Sequence, residues 1–455
     1  MDFVIIGNGV AGITAALTLR GREKNARVAV ISGESDYFFS RTALMYAFMD
    51  RMNLRDLEPY ERSVWKKQRI DLVRDYVVDL DAATRRVRLR SGAVVRYDRL
   101  LIATGATPNR IPWTGIDSVR EGIVNFVSLQ DLAECERLTR PGGRAVVVGG
   151  GLIGIELVEC LRFHRMHVTF LVREPWYWPI ALGREESTMV STHMRRHGVE
   201  LLLDEVVSEV TADSRGRVAG VTTESGRRFE CEILGVTAGV RPAVDWLKSV
   251  TTPPEIGRGV VVGPDFATSL DNIWAAGDVA EIRRPGERPL VEQIWYSAKR
   301  QGRLAALAML GDPVDYRPPI FFNSSKFFEI EFTTVGKVFE KPASPRDLVA
   351  GPAPGSRHFY SRVPGRDVSI RIVECDGAVT GFNMLGSRWN HAVLSRWIEE
   401  RRSLNDVVGR LGDAQFDVEF GRLDLAGIRA EYERWEHTAA AEVLAGQPAA
   451  EERRS

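Results

Sequence analysis

Two six-residue glycine patterns begin at positions 7 and 149, an offset of 149 − 7 = 142 residues: Gly7-Asn8-Gly9-Val10-Ala11-Gly12 and Gly149-Gly150-Gly151-Leu152-Ile153-Gly154. With 41 glycines in 455 residues a single match would carry little weight. The setting makes both specific. Each follows an apolar run, Phe3-Val4-Ile5-Ile6 or Ala145-Val146-Val147-Val148, and precedes a helix-compatible stretch, Ile13 to Arg20 or Ile155 to Arg162. In a strand, turn and helix of this kind the first glycine makes the tight turn and the second lets backbone N–H groups approach a pyrophosphate. The third lets the helix pack close to the strand. The helix N-terminus, with its unpaired N–H groups and positive dipole end, then holds the anion. Two copies predict two dinucleotides.

The elements that must position these loops are legible around them. A second strand, Arg27 to Ile31, ends before Glu34, which stands 34 − 12 = 22 residues past the third glycine, where a carboxylate meets an adenosine ribose. The stretch Val87 to Tyr97 alternates about Ser91-Gly92 and predicts a hairpin leading into the strand before Thr104-Gly105. After the second fingerprint come a predicted strand at 168–172, a helix near 185–197 and a strand at 231–236. The segment Thr237-Ala238-Gly239-Val240-Arg241-Pro242 echoes Ala103-Thr104-Gly105-Ala106-Thr107-Pro108, so the repeat extends beyond its glycines. A helical pattern runs from Glu292 to Leu310, β-type alternation returns at 326–335 and 368–374, and amphipathic helices are expected near 389–402 and 421–444.

Composition excludes several classes. The 61 basic and 61 acidic residues cancel, so no whole-molecule field points to nucleic acid or an anionic membrane. No apolar run reaches the ~18 residues of a membrane span, and the first strand begins at Phe3, so a cytoplasmic protein is expected. Cys135, Cys160, Cys231 and Cys375 are far apart and read as buried apolar thiols. His193 and His197 share a helix face at i, i+4, but without the HExxH glutamate they read as packed or solvated histidines rather than zinc ligands. No metal is expected.

Together these residues resemble the two-dinucleotide-binding-domain flavoproteins, the pyridine-nucleotide-disulphide-oxidoreductase superfamily. The resemblance spans about residues 2–340 and includes Gly277-Asp278 in family order. It implies an α/β chain of two Rossmann-like domains, with the NAD(P)H domain inserted in the FAD domain, plus a C-terminal α+β domain. The boundaries read 1–115 and 246–318 for FAD, 116–245 for NAD(P)H, 320–440 for a C-terminal interface domain, and a disordered tail at 445–455. Carried over, Gly7, Gly9, Val10, Ala11 and Gly12 take the FAD pyrophosphate, Glu34 the ribose and Asp278, after Gly277, the ribitol. Val77, Thr104 and Gly105 lie beside FAD. Gly149, Gly151, Leu152, Ile153, Gly154 and Gly239 serve NAD(P)H.

Within the superfamily, Ser32 to Leu44 is similar to the ferredoxin, rubredoxin and nitrite reductase flavoproteins, with Arg41 matching their FAD-contacting arginine. Trp295-Tyr296-Ser297-Ala298 with Gln301-Gly302 matches their helix under the flavin, whose N-terminus favours charge on the reduced ring. The family lysine falls at Tyr46, so its ion pair with Glu156 cannot form; Tyr46 and Glu156 stay as candidate catalytic residues. The single redox-active cysteine of some relatives would fall at or beside Arg41, and 34–60 contains no cysteine, which disfavours thiol chemistry. Arg173 stands where NADPH-using relatives hold a 2′-phosphate, yet Glu174 beside it would repel that phosphate; the reading leans to NADPH. The resemblance implies hydride transfer from NAD(P)H to FAD and then electrons to a small redox protein such as a ferredoxin or rubredoxin. An NAD(P)H oxidase or quinone reductase, and a redox-sensing protein of the apoptosis-inducing-factor kind, stay open. A homodimer through the C-terminal domain is expected.

Overall fold

The computed structural model describes residues 1–340, 349–416 and 423–445. The chain forms two compact units, one of 1–168 with 207–318, the other of 169–206 with the residues from 319 onward. This division differs from the three domains expected from the sequence. The expected tail beyond Ala445 lies outside the described residues.

The first unit is organised by a five-stranded sheet in the order Ile273–Ala275, Arg99–Ile102, Asp2–Ile6, Arg27–Ser32, Ile70–Arg74. All its pairings are parallel, with Phe3 opposite Val28 and Ile5 opposite Leu101. Sheets of this kind are covered on both faces, which is why their strands read as unbroken apolar runs instead of alternating ones; Phe3, Ile5, Val28 and Leu100 to Ile102 are fully buried. Ile273–Ala275 joins this sheet beside Arg99–Ile102, so the chain returns to its first sheet after the second fingerprint. That fingerprint starts from strand Arg144–Val148, which pairs in parallel with Ile233–Val236, itself paired with Ile123–Val124. The predicted hairpin forms from Arg86–Leu89 and Val94–Arg96, with Gly92 at φ 89° in its turn. The echoed segments pair with each other: Ala106–Pro108 and Val240–Pro242 form an antiparallel ribbon.

The second unit holds helix Arg184–Arg196 and a five-stranded antiparallel sheet in the order Phe322–Phe327, Ile330–Gly336, Ala378–Leu385, Ser369–Cys375, Arg357–Arg362. The alternation at 326–335 is therefore two strands joined by a two-residue turn at Phe328-Glu329, because pairing of Phe327 with Ile330 reverses the chain. The two later helices run His391–Glu399 and Leu425–Ala445. Trp389 and Trp397 are buried in the core with Phe359 and Phe382, and Trp435 packs against Phe359, so these tryptophans serve packing. Inside the unit, Glu186 is fully buried and accepts a hydrogen bond from Arg371 at 3.0 Å.

Candidate active site

The two fingerprint loops have nearly the same backbone. Gly7 and Gly149 take φ 112° and 114°. A Cβ on Gly7 would lie 2.2 Å from the Ala103 carbonyl oxygen, and one on Gly149 would lie 2.6 Å from that of Thr237, so each strand passes too close for a side chain. Gly9 and Gly151 cap helices Val10–Arg22 and Leu152–Phe163 with φ −69° and −88°, and no side chain caps either helix. A Cβ at Gly9 or Gly151 would meet nothing within 4 Å. Packing does not require glycine at either position, and its absence of a side chain leaves the N–H groups of both helix starts open to an approaching anion. Neither helix has an acidic residue in its first turn to oppose an anion. The residues therefore fit pyrophosphate in both places.

Around the first loop the structure assembles most of the expected FAD residues. A Cβ on Gly277 would sit 2.9 Å from that of Ala11, and one on Gly302 would lie 2.1 Å from the Ala11 carbonyl oxygen. Helix Trp295–Leu310 thus crosses Val10–Arg22 in backbone contact, bringing the Gly277-Asp278 segment to the first fingerprint. Burial pushes the Asp278 carboxyl up to about 6, against the opposing pull of the Arg41 guanidinium. Thr104 donates to the Ala243 carbonyl at 3.3 Å, and Gly105, at φ 72°, accepts from the Ala243 N–H. Val77 begins a strand beside Tyr76, whose ring covers Gly33.

Glu34 and Arg41 form an ion pair at 2.6 Å, and Arg41 also donates to the Val127 carbonyl. Glu34 further accepts from the Leu129 N–H at 3.3 Å. The carboxylate expected to meet a ribose is thus anchored by the arginine expected to meet FAD. The Trp295 indole N–H, at the start of helix Trp295–Leu310, is buried with no hydrogen-bond partner among the described residues. Helix Leu44–Phe48, which carries Tyr46, packs on Leu152–Phe163, which carries Glu156; Cys160 donates to the Met45 carbonyl at 3.6 Å. At the second fingerprint, Thr237 donates to the Val148 carbonyl at 2.9 Å, and Asn109 donates through its backbone to Gly239 and through its side chain to Ala238.

Sequence reasoning missed two groups. The helical pattern read from Glu292 to Leu310 forms as helix Trp295–Leu310, with its N-terminus at the expected Ile294-Trp295, so Glu292 lies just before it. Glu292 instead folds back and accepts hydrogen bonds from Ser297 at 2.9 Å, Gln301 at 2.9 Å and Tyr316 at 2.6 Å. Gln301 in turn accepts from the Gly277 N–H at 2.9 Å. A carboxylate with three donors thereby fixes the loop that carries Asp278, and no spacing rule announces it. Asn8, inside the first fingerprint, is also buried; it donates to Ser35 and accepts from Ser32, both at 2.9 Å, tying the loop to the end of strand Arg27–Ser32.

Three cysteines are buried as expected, while Cys375, the last residue of strand Ser369–Cys375, is only half-buried. Burial pushes the Cys231 thiol up to about 12 and raises that of Cys135 as well, so neither supplies a thiolate at neutral pH. Arg173 is held by Glu174 at 2.9 Å. The guanidinium expected to face a 2′-phosphate is exposed and paired with the carboxylate that the sequence set beside it. No helix among the described residues is long and apolar enough to cross a membrane.

Comparisons with known proteins agree with this geometry. Residues 1–302 match the family model described as pyridine nucleotide-disulphide oxidoreductase. The chain is 31% identical over 316 residues to the ferredoxin–NAD(+) reductase component of a biphenyl dioxygenase system from Paraburkholderia xenovorans (strain LB400), covering 68% of this chain and 75% of that one. It is 25% identical to an NADH oxidase of Methanocaldococcus jannaschii, covering 85% of this chain and 88% of the relative. In fold it is similar to the reductase–putidaredoxin complex of putidaredoxin reductase, with a TM-score of 0.75, 20% identity, and coverage of 88% and 93%. Two glycine loops of one geometry, the Gly-Asp return to the first sheet and the family match lead to one assignment: the chain belongs to the pyridine nucleotide-disulphide oxidoreductase family and is an FAD-dependent NAD(P)H oxidoreductase.

Proposed function

We propose that this protein takes hydride from NADH and passes electrons singly to a small iron–sulfur protein of the ferredoxin class. Bound FAD supplies the chemistry, accepting two electrons at N5 and releasing them one at a time. The chain's residues do the rest. The N-terminus of Val10–Arg22 holds the FAD pyrophosphate, Asp278 and the Glu34–Arg41 pair orient its sugars, and the N-terminus of Leu152–Phe163 holds the nicotinamide dinucleotide. Glu156 and Tyr46 border the ring-to-ring contact, and Trp295 offers its indole N–H at the flavin edge. The same reading takes 1–115 with 246–318 as the FAD domain, 116–245 as the NAD(P)H domain and 320–440 as a C-terminal domain.

The observation that carries the reading is the pair of uncapped, open-glycine helix N-termini of one geometry, combined with a segment 34–60 that holds no cysteine. With no thiol beside the flavin, electrons have no internal disulfide to visit and leave directly to an acceptor. Relatives named as ferredoxin reductases support a protein acceptor, and the NADH oxidase relative supports a second reading in which oxygen is the acceptor. Anaerobic stopped-flow reduction with NADH, followed by mixing with a [2Fe–2S] ferredoxin or with oxygenated buffer, separates the two. The proposal requires fast reduction, fast ferredoxin turnover and slow oxygen turnover. Fast oxygen turnover alone selects the oxidase reading.

A further inference from the structure

His193, in the last turn of helix Arg184–Arg196, and His197, its C-cap, point at one carboxylate oxygen. Glu329 Oε2 lies 2.9 Å from His193 Nε2 and 3.0 Å from His197 Nε2. The sequence offered the i, i+4 pair without the glutamate a zinc helix would carry; the fold brings the third group from elsewhere, on the turn between strands Phe322–Phe327 and Ile330–Gly336. The remaining ring nitrogens are also occupied. His193 Nδ1 is 2.9 Å from Asp367 Oδ2, and His197 Nδ1 is 2.9 Å from the His193 carbonyl oxygen.

All four imidazole nitrogens therefore face oxygen acceptors. A neutral imidazole carries one N–H, so two neutral rings can satisfy only two of the four contacts. The Nδ1 contacts, to a carboxylate and a carbonyl, are the usual outer partners that orient a metal-bound histidine. Placing the N–H groups there leaves two Nε2 lone pairs and a Glu329 oxygen converging on one point with no proton among them. Three such ligand atoms, within 4.8 Å of one another, repel unless a cation lies between them. The packing holds this arrangement in place: Phe328, buried and at φ 55°, sets its ring 4.7 Å from His197, and Asp367 is fixed by Arg196 at 3.1 Å.

We propose that His193, His197 and Glu329 bind a divalent cation of the zinc class, with water completing a tetrahedron. Two imidazoles and one carboxylate suit zinc among the borderline ions and leave one position open. The ion fastens helix Arg184–Arg196 to the Phe328-Glu329 hairpin turn within the second unit. None of its three ligands is a residue assigned to FAD or to the nicotinamide dinucleotide.

The test uses the flavin-loaded full chain, stripped with a chelator, dialysed and titrated with ZnCl2 against a chromophoric competitor. One equivalent per chain is expected, with affinity falling at least a hundredfold in the His193→Gln/His197→Gln double variant. Asp367→Asn, which keeps all three ligands, should lose about 10–100-fold. Far-UV circular dichroism and thermal melting of each metal-free variant report whether it has folded. Independently of any variant, CoCl2 added to the stripped wild-type chain should give the intense visible bands of a four-coordinate site. Failure to take up zinc stoichiometrically, uptake undiminished in the double variant, or a six-coordinate cobalt spectrum would each overturn the proposal. Absence of uptake would assign the cluster to two imidazolium protons instead.

Discussion

Gln301 links the flavin loop to the rest of the fold through one amide, and replacing it tests that link. It is 1% exposed; its oxygen accepts from the Gly277 N–H and its nitrogen donates to Glu292, both at 2.9 Å. Gln301→Leu keeps the volume and removes both bonds. An unpartnered buried N–H costs about 1–3 kcal/mol, and loss of a donor to a carboxylate roughly 1.5–3 kcal/mol more. The two losses share one side chain and overlap, so a net cost of about 3 kcal/mol is expected, or roughly a hundredfold in an equilibrium. Because the cost falls on the Gly277-Asp278 loop, it should appear as a weaker hold on FAD, read by flavin fluorescence during equilibrium dialysis and thermal release. Gln301→Glu keeps an acceptor for Gly277 but sets a second carboxylate against Glu292. The shared proton raises the pair's folded pKa, so this variant should recover FAD binding as pH falls and lose it as pH rises. FAD affinity within threefold of wild type for Gln301→Leu would refute the role given to this network.

The fingerprint glycines separate structural from ligand-facing duties. Gly7→Ala should prevent the chain from holding FAD at all, since its Cβ would meet the Ala103 carbonyl. Gly151→Ala should leave flavin content and melting unchanged while raising KM for the nicotinamide about tenfold, ~1.4 kcal/mol of lost approach; an altered melt would show that the open space is needed for folding. In FAD-free protein, Asp278 has a folded pKa raised to about 6, so its neutral form favours folding at low pH and that contribution is lost as pH rises from about 4 through 6. Compared with wild type, Asp278→Asn should therefore gain stability progressively over that window, by on the order of 2–3 kcal/mol, and parallel denaturation profiles from pH 4 to 7 would contradict this. Arg371→Met strands the fully buried Glu186, whose carboxyl burial already pushes up, and should cost about 3–5 kcal/mol; adding Glu186→Leu should restore much of it in urea titrations. Glu174→Ala frees Arg173 and should shift the NADPH-to-NADH ratio of kcat/KM upward, whereas an unchanged ratio would remove both residues from nicotinamide choice.

Local physics made much of the fold legible. Buried parallel strands need unbroken apolar runs, and a turn that lets backbone touch backbone admits only glycine, so the strands at 2–6 and 144–148 and both fingerprint loops could be read in order. The echo of 103–108 in 237–242 was legible as a repeat, but its pairing into an antiparallel ribbon was not, because pairing depends on where two distant segments arrive. The same limit hid Glu292, which looked like a helical residue and became the acceptor for three donors brought from Ser297, Gln301 and Tyr316. It also hid the Phe328-Glu329 turn, since alternation reads the same through a hairpin as along one strand.

By itself, then, the sequence determined the two dinucleotide loops, the lack of cysteine in 34–60, and the family chemistry, since these rest on residue types at fixed short spacings. Only the tertiary structure decided which separated groups meet: Glu34 with Arg41, and Glu329 with a histidine pair 132 to 136 residues away in the chain. Electrostatic partnership falls off within a few ångströms in space and has no period along a chain, so only the folded coordinates could reveal it.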